Sequence, residues 1–137
     1  MNWKLIAGLS AFGLLMGVGS VLGATGGAEP LLWFAVAVVC ALTVARRVPV
    51  AHYRHGFLVG VFSVLIASCL ELLFFDAYMA ANPDRAEMLG RLPGSLGVRT
   101  YLMLLMPVFA ALFGVVWGVL SWVARRILVG PEPPYRR

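Results

Sequence analysis

Apolar residues in this chain fall in four long runs separated by short polar breaks, rather than in the finer mixture of a water-soluble fold. The runs extend from about Leu5 to Ala24, Leu31 to Ala45, Gly56 to Tyr78 and Tyr101 to Val123. A helix rises ~1.5 Å per residue, so a bilayer core takes ~20 apolar residues. The first, third and fourth runs reach that length. The second reaches it when its flanks, Glu29–Pro30 and Val48–Val50, lie at the interface. The pattern predicts an all-α fold, a four-helix transmembrane bundle. Its spans are expected near residues 5–24, 30–47, 56–78 and 100–124, within a single domain of residues 1–129. Residues 130–137 (GPEPPYRR) read as a short disordered cytoplasmic tail.

The breaks carry matching signals. Pro30 suits a first helical turn and Glu29 its positive end. Arg46 and Arg47 close the second run, and Pro49 discourages its continuation. Trp3, Tyr53, Tyr78, Tyr101 and Trp122 fall near run ends, where aromatic belts form. Lys4, the first run and the small residues of Gly23–Gly26 also resemble a secretory signal peptide. That run exceeds the ~7–15 residues of a signal core, which favours a retained helix.

Composition sharpens this picture. Of 137 residues, 61% are hydrophobic and 12% charged, against ~25% charged in soluble domains. The net charge is +5, but the basic residues cluster at run ends instead of forming one basic face, so nucleic-acid binding is not indicated. Four spans put Lys4, Arg46, Arg47, Arg54, Arg125, Arg126, Arg136 and Arg137 on one side and Arg85, Arg91 and Arg99 on the other. The excess predicts that both termini and the Arg46–Arg54 loop are cytoplasmic. Cys40 and Cys69 lie inside apolar runs and read as buried thiols rather than a disulfide.

Small residues collect on one face of three runs. At 100° per residue, Ser10, Gly13, Gly17, Ser20 and Ala24 share a sector of about 80°. Gly56, Gly60, Ser63, Ala67 and Glu71 share about 60°, and Pro107, Ala110, Gly114, Gly118 and Ser121 about 80°. The pairs Gly13/Gly17, Gly56/Gly60 and Gly114/Gly118 match the small-xxx-small packing motif. Three such faces favour packing within one chain over a homodimer, since each needs a neighbour. Pro107 is expected to kink the fourth helix.

The polar residues within the spans are few. Glu71 shares the small-residue face of the third run and should point into the bundle. An intramembrane acid is a candidate functional group, as a proton carrier or cation ligand. The plainer reading is a structural acid, protonated or paired with Arg99 at the head of the fourth helix. Asp76 lies five residues on and about 140° around the helix, so it does not form an acid-base dyad with Glu71. The segment from Asn82 to Leu92 (NPDRAEMLGRL) reads as a short connector helix. Asn82 would cap it, with Pro83, Asp84 and Glu87 in its first turn. Met88, Leu89 and Leu92 would rest on the bundle or membrane. His52 and His55 lack further ligands nearby for a metal. With Arg46, Arg47 and Arg54 they are expected to touch anionic headgroups. No phosphate-binding loop, dinucleotide fingerprint, zinc-protease signature or nucleophile elbow is present.

The segment Leu73–Leu89 (LFFDAYMAANPDRAEML) resembles a recurring stretch in small, uncharacterised bacterial four-helix membrane proteins. The last span, from Gly114 and Gly118 to Arg125–Arg126, is similar as well. The resemblance covers the second half of the chain and implies a multi-pass protein of the bacterial inner membrane. It implies no activity and no site residues. The sequence thus leads to a non-enzymatic binding or accessory bundle, without cofactor or metal. Its expected partners are the lipid bilayer and a second copy or another membrane protein. The alternatives are a proton-coupled transporter using Glu71, and a lipid-modifying enzyme working near Glu71 and Asp76.

Overall fold

The structure is a computed structural model that describes residues 1–91, 97–128 and 130. Among the described residues it is helical, with no strand. The elements are α1 (Trp3–Ser10), α2 (Phe12–Val21), α3 (Glu29–Arg47), α4 (His52–Leu73), α5 (Phe75–Ala81), α6 (Pro83–Gly90) and α7 (Val98–Leu128). A 3-10 turn, Gly26–Ala28, leads into α3. Ala11, between α1 and α2, keeps right-handed helical angles, so the two form one nearly continuous rod. This rod, α3, α4 and α7 are each long and apolar enough to cross a membrane.

α4 is the central element. It packs on α7 along one side and on α1 and α2 along the other, and α3 lies mainly on α7. The small residues explain these crossings. A Cβ on Gly13 would sit 2.3 Å from the backbone oxygen of Ser63, and one on Gly17 2.9 Å from the Ala67 Cα. On the α4–α7 side, a Cβ on Gly56 would lie 2.5 Å from the Trp117 carbonyl oxygen. Gly60 abuts Gly114, and Gly118 abuts Tyr53. The backbones therefore approach to distances that only glycine permits. The α4 stripe is divided between two neighbours: Gly56 and Gly60 meet α7, while Ser63 and Ala67 meet α2. Between these crossings, Ile6, Ala37, Cys40, Val59 and Trp117 form the buried core.

Helix ends differ from the sequence expectation in several places. The first span ends at Val21 rather than near Ala24, because the chain turns through Gly23 at φ 68. The third begins at His52 and ends at Leu73, not Tyr78. Phe74, at φ −105 and ψ 39, leaves helical geometry and starts the separate helix α5. The fourth span is longer than expected and runs unbroken through Pro107. Cys69 is exposed, unlike buried Cys40, and both thiols are free. Residues 131–137 of the expected tail, and Leu92 of the connector, lie outside the described residues.

The loop between α3 and α4 is tightly bonded. Val48 is extended ahead of Pro49, and Ala51 takes left-handed angles, φ 60 and ψ 42. His52 and His55 are buried here, so they are not headgroup contacts. The His52 Nε2 lies 2.7 Å from the Val48 carbonyl oxygen. The Asn2 backbone N–H donates to His55 Nε2 at 3.0 Å. That leaves His55 Nδ1–H to donate to the Ala51 carbonyl at 2.9 Å, which fixes the tautomer. Each histidine thus satisfies a loop carbonyl inside the protein. Arg46, Arg47 and Arg54 are exposed around this end, and the Arg126 guanidinium lies 4.0 Å from the Trp122 ring centroid.

Candidate functional site

At the opposite end of the bundle, α3, α4 and α7 diverge around a cleft of about 460 Å³. Its walls are apolar, with Ala37, Val64, Leu105, Met106 and Phe109 among them. Phe34, Phe109 and Val116 line it and are also exposed on the outer surface, so the cleft opens sideways between helices. Trp117, 2% exposed, blocks its inner end. Trp33 stands beside it, with ring centroids 5.6 Å from Phe113 and 6.2 Å from Trp117. In α7 a long side chain leans toward the helix N-terminus, which carries the Trp117 indole up into the cleft.

The outer end of the cleft is polar. Glu29 begins α3, and its side chain is only 7% exposed. Arg85, from α6, reaches it with Nη2 at 2.5 Å from Oε2. The Arg85 Nη1 donates to the Tyr78 hydroxyl oxygen at 3.0 Å. The Trp33 indole N–H donates to the other Glu29 oxygen at 3.3 Å. The Glu29 carboxylate is thus held by one cation and one indole. Burial holds the Tyr78 phenol above its ordinary range, and the nearby Glu71 carboxylate adds to that. The phenol is therefore neutral at physiological pH.

Glu71 lies on the cleft wall, half-buried, in the last turn of α4. Arg85 and Glu29 act on it through space, and the buried Ser20 hydroxyl of α2 lies beside it. That hydroxyl makes no hydrogen bond of normal geometry. Both terminal nitrogens of Arg85 are occupied by Glu29 and Tyr78.

Of the three polar residues expected to form one site, the structure places only Glu71 at the cleft. Arg99 does not pair with it. Arg99 is exposed in the first turn of α7 and donates to the Leu72 carbonyl at 2.9 Å. That carbonyl belongs to the last turn of α4, where helical acceptors lack partners. The cation within reach of Glu71 is Arg85 instead. Asp76 is exposed in the first turn of α5, away from the cleft lining.

The connector explains how Arg85 arrives. α6 starts at Pro83 as expected, but Asn82 does not cap it through its side chain. The Asn82 amide instead donates to the Ser20 carbonyl at 2.8 Å and the Tyr78 carbonyl at 2.9 Å. It ties the end of α2 to the end of α5 and fixes where α6 begins. Leu89 is buried under α6, Met88 is exposed, and Arg91 pairs with Glu87 along its outer face.

No protein-family model, curated protein or solved structure matches this chain.

The missed members of the cluster are Glu29, Tyr78 and Arg85. Each has an ordinary local explanation as a helix-start acid, an interfacial aromatic or a loop cation. The available signal was topological, since four alternating spans bring the starts of α3 and α7 and the end of α4 to the same end.

Proposed function

We propose that this chain is a multi-pass protein of the bacterial inner membrane that acts by binding, without catalysis. In this reading both termini and the Arg46–Arg54 loop are cytoplasmic, and the cleft opens into the opposite leaflet. The outward surface supports insertion: Leu15, Leu22, Leu31, Leu73 and Ile127 are each about 70% exposed or more. An apolar belt of that extent is suited to hydrocarbon, not water. Reporter fusions are expected to place the Arg46–Arg54 loop and the C-terminus on the same, cytoplasmic side. Opposite sides for those two positions would overturn the orientation.

The observation that carries the binding reading is the cleft. It combines apolar walls, a lateral opening and a polar outer end within a volume of about 460 Å³. Small-ligand pockets are typically about 300–1,000 Å³, mostly apolar, with a few convergent polar groups. This shape suits a single-chain amphipathic molecule, tail along Phe109 and Val64, head at Glu71 and Tyr78. The Trp117 plug supports binding over transport, because the cleft ends at a packed core. The glycine faces are engaged within one chain, which supports a bundle complete without a second copy.

The test is saturable binding in nanodiscs of neutral lipid. A Trp3→Phe/Trp122→Phe background leaves Trp33 and Trp117 as reporters, and a brominated dodecyl amphiphile entering the cleft should quench them. Leu105→Trp, which fills the cleft from its α7 wall, is expected to weaken retention of an unbrominated homologue about tenfold by native mass spectrometry. Equal retention by the filled variant would remove the cleft from the function.

A further inference from the structure

We infer that the cleft selects an amphiphile with a cationic head, a primary or quaternary ammonium, received by the Glu71 carboxylate. This rests on the reading of the cleft as a binding site and assigns the chemistry of its ligand.

The charges at the outer end decide it. Besides the neutral Tyr78 phenol, three ionisable groups line the cleft: Glu29, Glu71 and Arg85. Glu29 and Arg85 neutralise one another in an ion pair of 2.5 Å. Arg85 also donates to Tyr78, so each of its terminal nitrogens already has an acceptor within the protein. Glu71 is the carboxylate left over, and it faces the same space. The cleft thus holds one acid more than it has cations, in surroundings of reduced dielectric where an uncompensated carboxylate is costly and a bound cation would supply the missing counter-charge.

The aromatic lining points the same way. Trp33, Phe34, Tyr78 and Phe113 line the same cleft as Glu71. Ring faces attract ammonium groups, most strongly when these are desolvated. An anionic head would meet two carboxylates and a guanidinium that is already paired. A neutral head would leave Glu71 without a counter-charge.

The experiment compares dodecyl chains that differ only in head: dodecyltrimethylammonium, dodecylamine, dodecanol and dodecyl phosphate. Binding to the full chain is measured in phosphatidylcholine nanodiscs, after subtracting partition into protein-free discs. The two cations are expected to bind about tenfold or more tightly than dodecanol, and dodecyl phosphate more weakly still. Glu71→Gln preserves shape and is expected to abolish the preference of the two cations over dodecanol. Glu71→Asp keeps the charge and should retain part of the preference, with an unchanged unfolding midpoint showing that both variants fold. Tightest binding of dodecyl phosphate, or an unchanged preference in folded Glu71→Gln, would overturn the assignment and leave the cleft reading standing. Failure of all four heads to bind would overturn the cleft reading itself, and this inference with it.

Discussion

Replacing Gly13 by alanine is expected to destabilise the bundle by about 2 kcal/mol, the middle of the range for overpacking. The new Cβ would lie 2.3 Å from the Ser63 oxygen and 2.8 Å from its Cα. Both atoms are backbone, so no side-chain rotation relieves the clash, and α2 must move off α4. Intrinsic helix propensity acts in the opposite direction, favouring alanine over glycine by about 0.5–1 kcal/mol. The net loss is thus a packing effect that overcomes a local gain. Gly8 supplies the control, because a Cβ there meets nothing within 4 Å. Gly8→Ala should be neutral or slightly stabilising. Unfolding of both variants in mixed micelles checks the contrast, and equal midpoints would show that the α2–α4 crossing is not held by close approach.

Removing the Arg85 guanidinium is the second large perturbation. In Arg85→Met the Glu29 carboxylate, 7% exposed in the intact protein, keeps among the described residues only the Trp33 indole as a donor. Breaking a fully buried pair costs about 3–5 kcal/mol. The Arg85 side chain is 40% exposed, so solvent screening lowers the expected loss to about 2 kcal/mol. The double variant Glu29→Gln/Arg85→Met removes the stranded charge as well and should recover at least half of that loss. A double-mutant cycle read by thermal unfolding in detergent measures the coupling. Additive single effects would show that the pair contributes nothing specific and that Arg85 acts only through its packing.

The four long apolar helices and their packing faces were legible because both depend on local repeats. Apolar run length sets the spans, and three-or-four-residue spacing puts Gly56 and Gly60, or Gly114 and Gly118, on one side of a helix. The break at Phe74 was hidden, since Phe74 and Phe75 are as apolar as the helix they interrupt. Glu71 stood out as an acid in an apolar run, but its surroundings did not. Arg99 was the nearest cation to expect from the order of the spans, yet it serves the α4 carboxyl end. Arg85 wins the site because Asn82 bonds to Ser20 and Tyr78 and thereby aims α6 at Glu29. That depends on contacts between segments far apart in sequence, which no local pattern encodes. The histidines misled for the opposite reason. Their place beside Arg54 suggested a surface, whereas the left-handed turn at Ala51 rotates both inward.

The central position of α4 also bears on biogenesis. The glycine face of α2 meets α4, and its contact with α3, the next helix to be made, is slight. In a chain delivered to the bilayer one span at a time, Gly13 and Gly17 therefore wait, uncovered, until the segment carrying Ser63 and Ala67 has been synthesised. In such a chain the first two long helices would pair weakly with each other, and the bundle would close only once the third slots in beside the first.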